Sequence, residues 1–402
     1  MSEESFPWDI GVHDAHCHPT DTMPSIASIP DMKAATLTVM ATRGQDQSLV
    51  QQAAQSHPER ILPCFGWHPW FSHQIRDDTN EPEHGKNDHD ATQQKINHYA
   101  SVLTPSSVDD PTFVDALPTP IPLSTLIADT RARLQLFPRA LVGEVGLDRS
   151  FRLPSAWTLQ ELNTRDTQIT PGSREGRRLS PYCVKLDHQR VVLKAQLRLA
   201  GEMARAVSLH SVKTHGVVLD VLKELWAGHE RVVLSKRARE KLQDAEGVVF
   251  DDSEEEDQKD NNGKQHTTTT TPGGINHTSA TSVHAASPSP PSLPFPPRIC
   301  LHSYSGTIEP VRPFLNRSNP SDIYFSFSTV INFGGARVGK VGDVIKALPA
   351  DRVLVESDLH TAGPEMDELL EQAARQICEL RGWGLRQGMQ QLAENWKRFV
   401  AG

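Results

Sequence analysis

Near its amino end the chain reads His-Asp-Ala-His-Cys-His (13–18), a density of imidazole and carboxylate groups suited to holding a divalent metal ion. Residues two apart in a strand share a face, so His16 and His18 project together. Asp14 has the same parity and is placed to hydrogen-bond a ligand histidine from behind. His13 and Cys17 fall on the other parity and are read as non-ligands. Further candidates follow: Glu144 in GEVGLD, His210 in VSLH, His302 in LHSYSG, and Glu356 with Asp358 in VESD. Taken singly, each has an ordinary reading as a hydrogen-bonded core residue. Taken together, His16, His18, His210, His302, Glu144 and Asp358 are too many ligands for one tetrahedral centre. They suit two divalent ions, Mg²⁺, Mn²⁺ or Zn²⁺, sharing one carboxylate, and Glu144 is the natural bridge. Such a pair activates water and stabilises the attacking and leaving oxygens of phosphoester cleavage, so the expected chemistry is hydrolytic.

These residues need a frame that brings them to one place. Eight short, apolar or β-branched stretches read as buried strands: 12–18, 36–42, 61–69, 140–148, 206–212, 299–304, 323–331 and 352–360. Helical spacing of apolar residues falls between and after them, at 123–137, 189–206, 216–228, 365–381 and 385–400. Eight strands alternating with helices predict an α/β fold, a (β/α)8 TIM barrel over residues 1–402. Every candidate ligand lies near the carboxyl end of its strand, where such barrels keep their chemistry. Three segments do not fit and read as insertions. Residues 72–122, after strand three, and 149–188, after strand four, belong to the catalytic face. Residues 244–297 run from DDSEEEDQKD through TTTTT to SPSPPSLPFPP, lie on the opposite face, and are expected to be disordered and dispensable for activity.

A formal charge of −9 excludes a bulk electrostatic grip on nucleic acid, though a metal site supplies positive charge locally. Five scattered cysteines predict reduced thiols. The start MSEESFPWDIGV carries no signal-peptide pattern, and no apolar run reaches the ~20 residues of a membrane span, so a cytoplasmic or nuclear protein is expected. KRAREK (236–241) reads as a solvated helix face or an import patch, and NFGGAR (332–337) as a loop able to approach phosphate.

The motifs DAHCH, GWHP, GEVGLD, VSLH, LHSYSG, FSFS and VESD, in this order, make the chain resemble the TatD family of metal-dependent deoxyribonucleases within the amidohydrolase-like barrels. The resemblance implies that His16, His18 and Asp358 hold one metal, His210 and His302 the other, and that Glu144 bridges. It makes Asp358 the group that orients or deprotonates the attacking water, and places His68 of GWHP near the substrate phosphate; a turn histidine before proline is the alternative. It implies DNA as substrate and 3′-to-5′ exonuclease or related activity. Departures occur at the substrate contacts. After His210 the arginine and acidic residue of many members give way to Ser-Val-Lys, where Lys213 is the substitute phosphate contact; after Asp358 the usual proline is Leu359. Together with the insertions these departures resemble a fungal branch, some members of which are described as partners of cell-cycle machinery. Two other functions compete: an amidohydrolase cutting C–N or ester bonds, although Glu144 stands where many such barrels carry lysine, and a metal-retaining scaffold that binds proteins through its insertions.

Overall fold

The computed structural model describes residues 4–79, 91–172, 174–233, 292–334 and 338–402. Eight strands form one parallel sheet: β1 His13–Cys17, β2 Thr36–Met40, β3 Ile61–Phe65, β4 Leu141–Asp148, β5 Val207–Val212, β6 Arg298–Leu301, β7 Asp322–Phe327 and β8 Val353–Val355, neighbours in that order. The ring is closed between its last and first members by backbone bonds, from Asp358 N–H to His16 O at 3.0 Å and from His18 N–H to Leu359 O at 2.7 Å. The (β/α)8 barrel expected from the strand pattern is the observed fold. Strict alternation fails in two places: the register shifts between Asp14 and Cys17 on β1, and between Val142 and Val145 on β4. Such shifts re-aim side chains next to a site.

Every strand except β5 sends at least one small or apolar residue to an interior cluster, and Ala206 does so just before β5. The cluster comprises Ala15, Met40, Leu62, Cys64, Leu141, Ala206, Cys300, Tyr324 and Leu354, and is completed by Trp396 and Phe399 of the last helix. Between strands and after β8 run α1 Gly44–Ser56, α2 Leu123–Leu136, α3 Leu186–Glu202, α4 His215–Trp226, α5 Ile308–Phe314, α6 Val338–Ala347, α7 Pro364–Arg381 and α8 Leu385–Ala401. The ends of α7 follow from its sequence. Pro364 opens it, Glu365 and Asp367 favour its positive first turn, and Gly382 stops it at a left-handed φ of 65°. Asn395 on α8 donates to the carbonyls of Ala350 and Val353 at 2.7 and 2.8 Å, fixing that helix beneath β8. No helix among the described residues is long and apolar enough to cross a membrane.

The first two insertions fold upon each other. Leu103–Thr104 pairs antiparallel with Cys183–Val184. Tyr99, Val102, Leu103, Phe113 and Val114 of the first share an apolar cluster with Leu153, Tyr182 and Val184 of the second. Tyr182 also donates to Asp110 at 3.0 Å. The second insertion then reaches back toward the start of the barrel. Thr170 bonds the carbonyls of Thr20 and Asp21, and Arg43, after β2, joins Pro171 O at 3.2 Å to the Asp21 carboxylate at 3.1 Å.

The chain divides into a unit of residues 1–231 with 292–402 and a second of 232–291, nearly all of which lies outside the described residues. The disorder expected for 244–297 therefore falls largely outside them, as do KRAREK and the last three residues of NFGGAR. Residues 292–297 are described and packed: Phe295 is buried, and the carbonyls of Leu293 and Phe295 approach Gly201 so closely that a Cβ there would lie 2.3 and 2.5 Å from them. Those last residues belong to the core, because the segment carries one aromatic just before β6.

Buried histidines pin the turn that leads from β3 into the first insertion. His73 donates to Trp70 O at 3.0 Å, His98 to His73 O at 2.7 Å and His188 to Ser72 O at 2.9 Å. Burial lowers all three, His73 to about 3 and His98 to about 4. An unfolded imidazole titrates near 6.5, so protons bind the opened segment first as pH falls. The contribution of these groups is complete above about pH 6.5 and is lost as pH falls toward 4. Limited proteolysis should cut within 91–122 faster at pH 4.5 than at pH 7.5; equal rates would contradict this account.

Candidate metal centre

The site is built around one carboxylate. Glu144, near the middle of β4 and buried, receives three histidines on Oε1: His210 Nδ1 at 2.9 Å, His302 Nε2 at 2.9 Å and His68 Nε2 at 3.1 Å. Its Oε2 faces His18 Nε2 at 3.4 Å and His16 Nε2 at 3.7 Å. Asp358 Oδ1, arriving after β8, lies 3.8 Å from His16 and 3.7 Å from His18. Burial works against the Glu144 charge, but His68, His302 and His16 override it and hold the carboxyl well below the ordinary range.

The imidazole orientations follow from their outer contacts. Ser208 Oγ on β5 meets His16 Nδ1 at 2.8 Å, which aims the other ring nitrogen, Nε2, inward toward His18 Nε2, 3.0 Å away. Burial pushes both rings down to about 3, so they are neutral donors at physiological pH. Asp148, at the end of β4, accepts from His210 Nε2 at 3.2 Å and from the Trp70 indole at 2.6 Å, leaving His210 Nδ1 to face Glu144. Burial disfavours a charged His210, yet the Asp148 and Glu144 carboxylates raise it to about 9. His68 differs: its Nδ1 accepts from the Trp70 backbone N–H at 3.0 Å, so its Nε2 carries the proton and points into the site as a donor.

Three overlapping groups have ligand atoms within 4.8 Å of one another: His16, His18 and Asp358; His16, Glu144 and His302; His68, Glu144 and His210. His16 Nε2 and His18 Nε2 lie 3.0 Å apart, with Glu144 Oε2 and Asp358 Oδ1 3.4 to 3.8 Å from them, a cluster of nitrogen and oxygen atoms that one cation would gather. The donor set therefore fits divalent ions, with mixed nitrogen and oxygen ligation.

Six of the residues singled out from the sequence as ligands are brought together: His16, His18, Glu144, His210, His302 and Asp358. The other residues named from the sequence are placed as follows. Asp14 does not reach an imidazole; it accepts from the backbone of His16 and from both N–H and hydroxyl of Ser357, bracing β1 against the turn after β8. Glu356 is fully buried and accepts from the N–H and hydroxyl of Ser303 at 2.8 and 2.5 Å, and that hydroxyl also reaches Asp358 Oδ2 at 3.1 Å. Burial and the Asp358 charge push Glu356 well above the usual carboxylate range. Lys213 is exposed just beyond β5. His13 stacks on Trp396, ring centroids 4.0 Å apart, away from the centre. Three residues at strand ends, Lys213, Ser303 and Asp358, hold left-handed φ values of 55°, 43° and 55°, a local cost of the kind stored at functional sites. Sequence reasoning missed Asp148 and Ser208, although Asp148 ends the GEVGLD motif and Ser208 shares the parity of His210.

Ser208→Ala removes the hydroxyl that holds His16 Nδ1 and should weaken metal affinity by about 10- to 100-fold. Metal titration of the stripped variant, with its fold checked by circular dichroism, measures this; affinity within threefold of the parent would remove Ser208 from the account.

A parallel (β/α)8 barrel with histidines and carboxylates gathered in and just beyond its strands is a scaffold suited to metal-dependent hydrolysis. A sequence profile of the TatD related DNase family matches residues 13–246 and 277–401. The chain is 34% identical over 387 residues to the Cut9-interacting protein scn1 of Schizosaccharomyces pombe, covering 96% of this chain and 98% of that one. It is 24% identical over 407 aligned positions to YMR262W of Saccharomyces cerevisiae, named an uncharacterized deoxyribonuclease, with coverage of 96% and 98%. A TatD homologue from Escherichia coli K12 shares the fold, with a TM-score of 0.51, 16% identity and coverage of 97% and 98%. The chain belongs to the TatD related DNase family.

Proposed function

We propose that the protein is a divalent-metal-dependent phosphodiesterase acting on DNA, as a 3′-to-5′ exonuclease or related DNase. The observation that carries this is the single carboxylate of Glu144 dividing its two oxygens between two histidine sets. In this reading His16, His18 and Asp358 hold one ion, His210 and His302 the other, and Glu144 is common to both. Bound there, the ions would acidify a water and neutralise charge on the scissile phosphate. The protein groups do the rest. Asp358 Oδ1 orients the attacking water and takes its proton. The Trp70 bond keeps the His68 proton on Nε2, which faces Glu144 Oε1 here and turns to a phosphate oxygen when substrate enters. Lys213 adds charge at the rim. DNA as substrate and the polarity rest on the family and on the name of the budding-yeast relative. The proposed setting is cytoplasm, nucleus or both, in keeping with five free thiols.

End-labelled single-stranded DNA incubated with Mg²⁺, Mn²⁺ or Zn²⁺, beside metal analysis of the pure protein, tests this. Stepwise loss from the 3′ end is expected. Metal-loaded protein that spares every phosphodiester while opening cyclic amides or esters would assign the site to C–N or ester hydrolysis instead. A second role as a protein partner is suggested by the name of the fission-yeast relative; co-purification that survives metal removal but not deletion of 91–116 would support it.

A further inference from the structure

We propose that Trp70, backed by Phe151, is a stacking platform for the nucleobase beside the scissile phosphate. The inference rests on the phosphodiesterase reading and adds how the substrate is held. Trp70 follows His68-Pro69 and keeps 36% of its surface exposed, although it lies among buried site residues. Its ring stands edge-on to His68 at 4.6 Å and to His210 at 6.0 Å between centroids, so it borders the metal centre directly. Phe151 lies parallel to it, 4.4 Å away at 10°. The indole cannot swing away: its N–H is held by Asp148 at 2.6 Å, and Asp148 is fixed in turn by the N–H groups of Ser150 and Phe151 at 2.6 and 3.0 Å.

A rigid, partly exposed indole next to a hydrolytic centre offers a flat π surface that any base can cover. Charge on the adjoining rim suits the rest of a nucleotide. Arg149 and Lys213, both exposed, leave the ends of the paired strands β4 and β5, where Arg149 N–H bonds Val212 O at 3.2 Å. A planar group on the indole with phosphate beside it matches this arrangement of aromatic and cations. An uncharged cyclic amide would leave the two cations without a role. Because stacking reads no base edge, the platform predicts tolerance of base identity with dependence on a base being present.

The test compares short single-stranded oligonucleotides that carry an abasic sugar at each position flanking the scissile linkage in turn. Wild-type protein should prefer the intact strand over one of the abasic strands by roughly 5- to 100-fold in kcat/KM, mainly through KM. Trp70→Ala should abolish that preference. Trp70→Phe, which loses the bond to Asp148 but keeps an aromatic face, should retain most of it. A residue that merely props Asp148 and His210 would slow both strands equally in both variants, and the preference would survive in Trp70→Ala; that outcome overturns the platform and leaves the phosphodiesterase reading intact. Equal use of intact and abasic strands by the wild type does the same. Absence of all phosphodiester cleavage by metal-loaded wild type would overturn both.

Discussion

Replacing Glu144 by glutamine is expected to lower phosphodiester cleavage by about 10³-fold or more while leaving the barrel folded. The substitution preserves shape but places an amide N–H₂ where one carboxylate oxygen stood. Oε1 has His210, His302 and His68 around it and Oε2 has His18 and His16, and an amide nitrogen on either side offers no lone pair or charge to an ion. Both ions would lose their common anionic ligand, and bound metal should fall together with rate. Mass-spectrometric metal counting on the purified variant, with circular dichroism for the fold, separates this from unfolding. A variant that keeps its full metal content and turns over within tenfold of the parent would show that Glu144 is a core carboxylate and no more.

Asp358→Asn should act on the reaction more than on binding. Its side chain is 17% exposed, against 0% for His16, 7% for His18 and 6% for Glu144, so among these groups it is the one most open to an entering water. Oδ2 is engaged by the Ser303 hydroxyl, which leaves Oδ1 to accept a proton. An amide keeps the Ser303 bond and one ligand atom but no longer acts as a base. The expected result is a fall in kcat of about 10²- to 10⁴-fold with KM little changed. Recovery of the full rate on adding excess metal would instead mean that the residue serves only to retain the ion.

The barrel was readable because its strands are short, buried on both faces and rich in branched residues, as in VSLHSV and RVLVES. The ligands were readable because each interrupts or closes such a run with a group too costly to bury unpaired. What escaped is what depends on residues far apart in the chain meeting through a single bond. Asp14 was assigned to an imidazole by parity, yet its partner Ser357 is 343 residues away. Ser208, bound to His16 across 192 residues, looked like any small strand residue. The union of the first two insertions was hidden for the same reason, since its sheet consists of two residues on each side. His68 shows a finer limit: only the bond from Trp70 N–H settles which of its nitrogens carries the proton.

That union has a consequence for how the chain can change. Tyr99 and Leu103 are fully buried in part by Leu153, Tyr182 and Val184, which lie on the other side of β4 in sequence. Trimming either insertion alone would strip the other and leave a patch of aromatic and aliphatic surface beside the mouth of the barrel, an adhesive site for other chains. The two therefore behave as one heritable part split by a strand: descendants of this chain should shorten both or neither, and a designer grafting one onto a plainer barrel must carry its counterpart along.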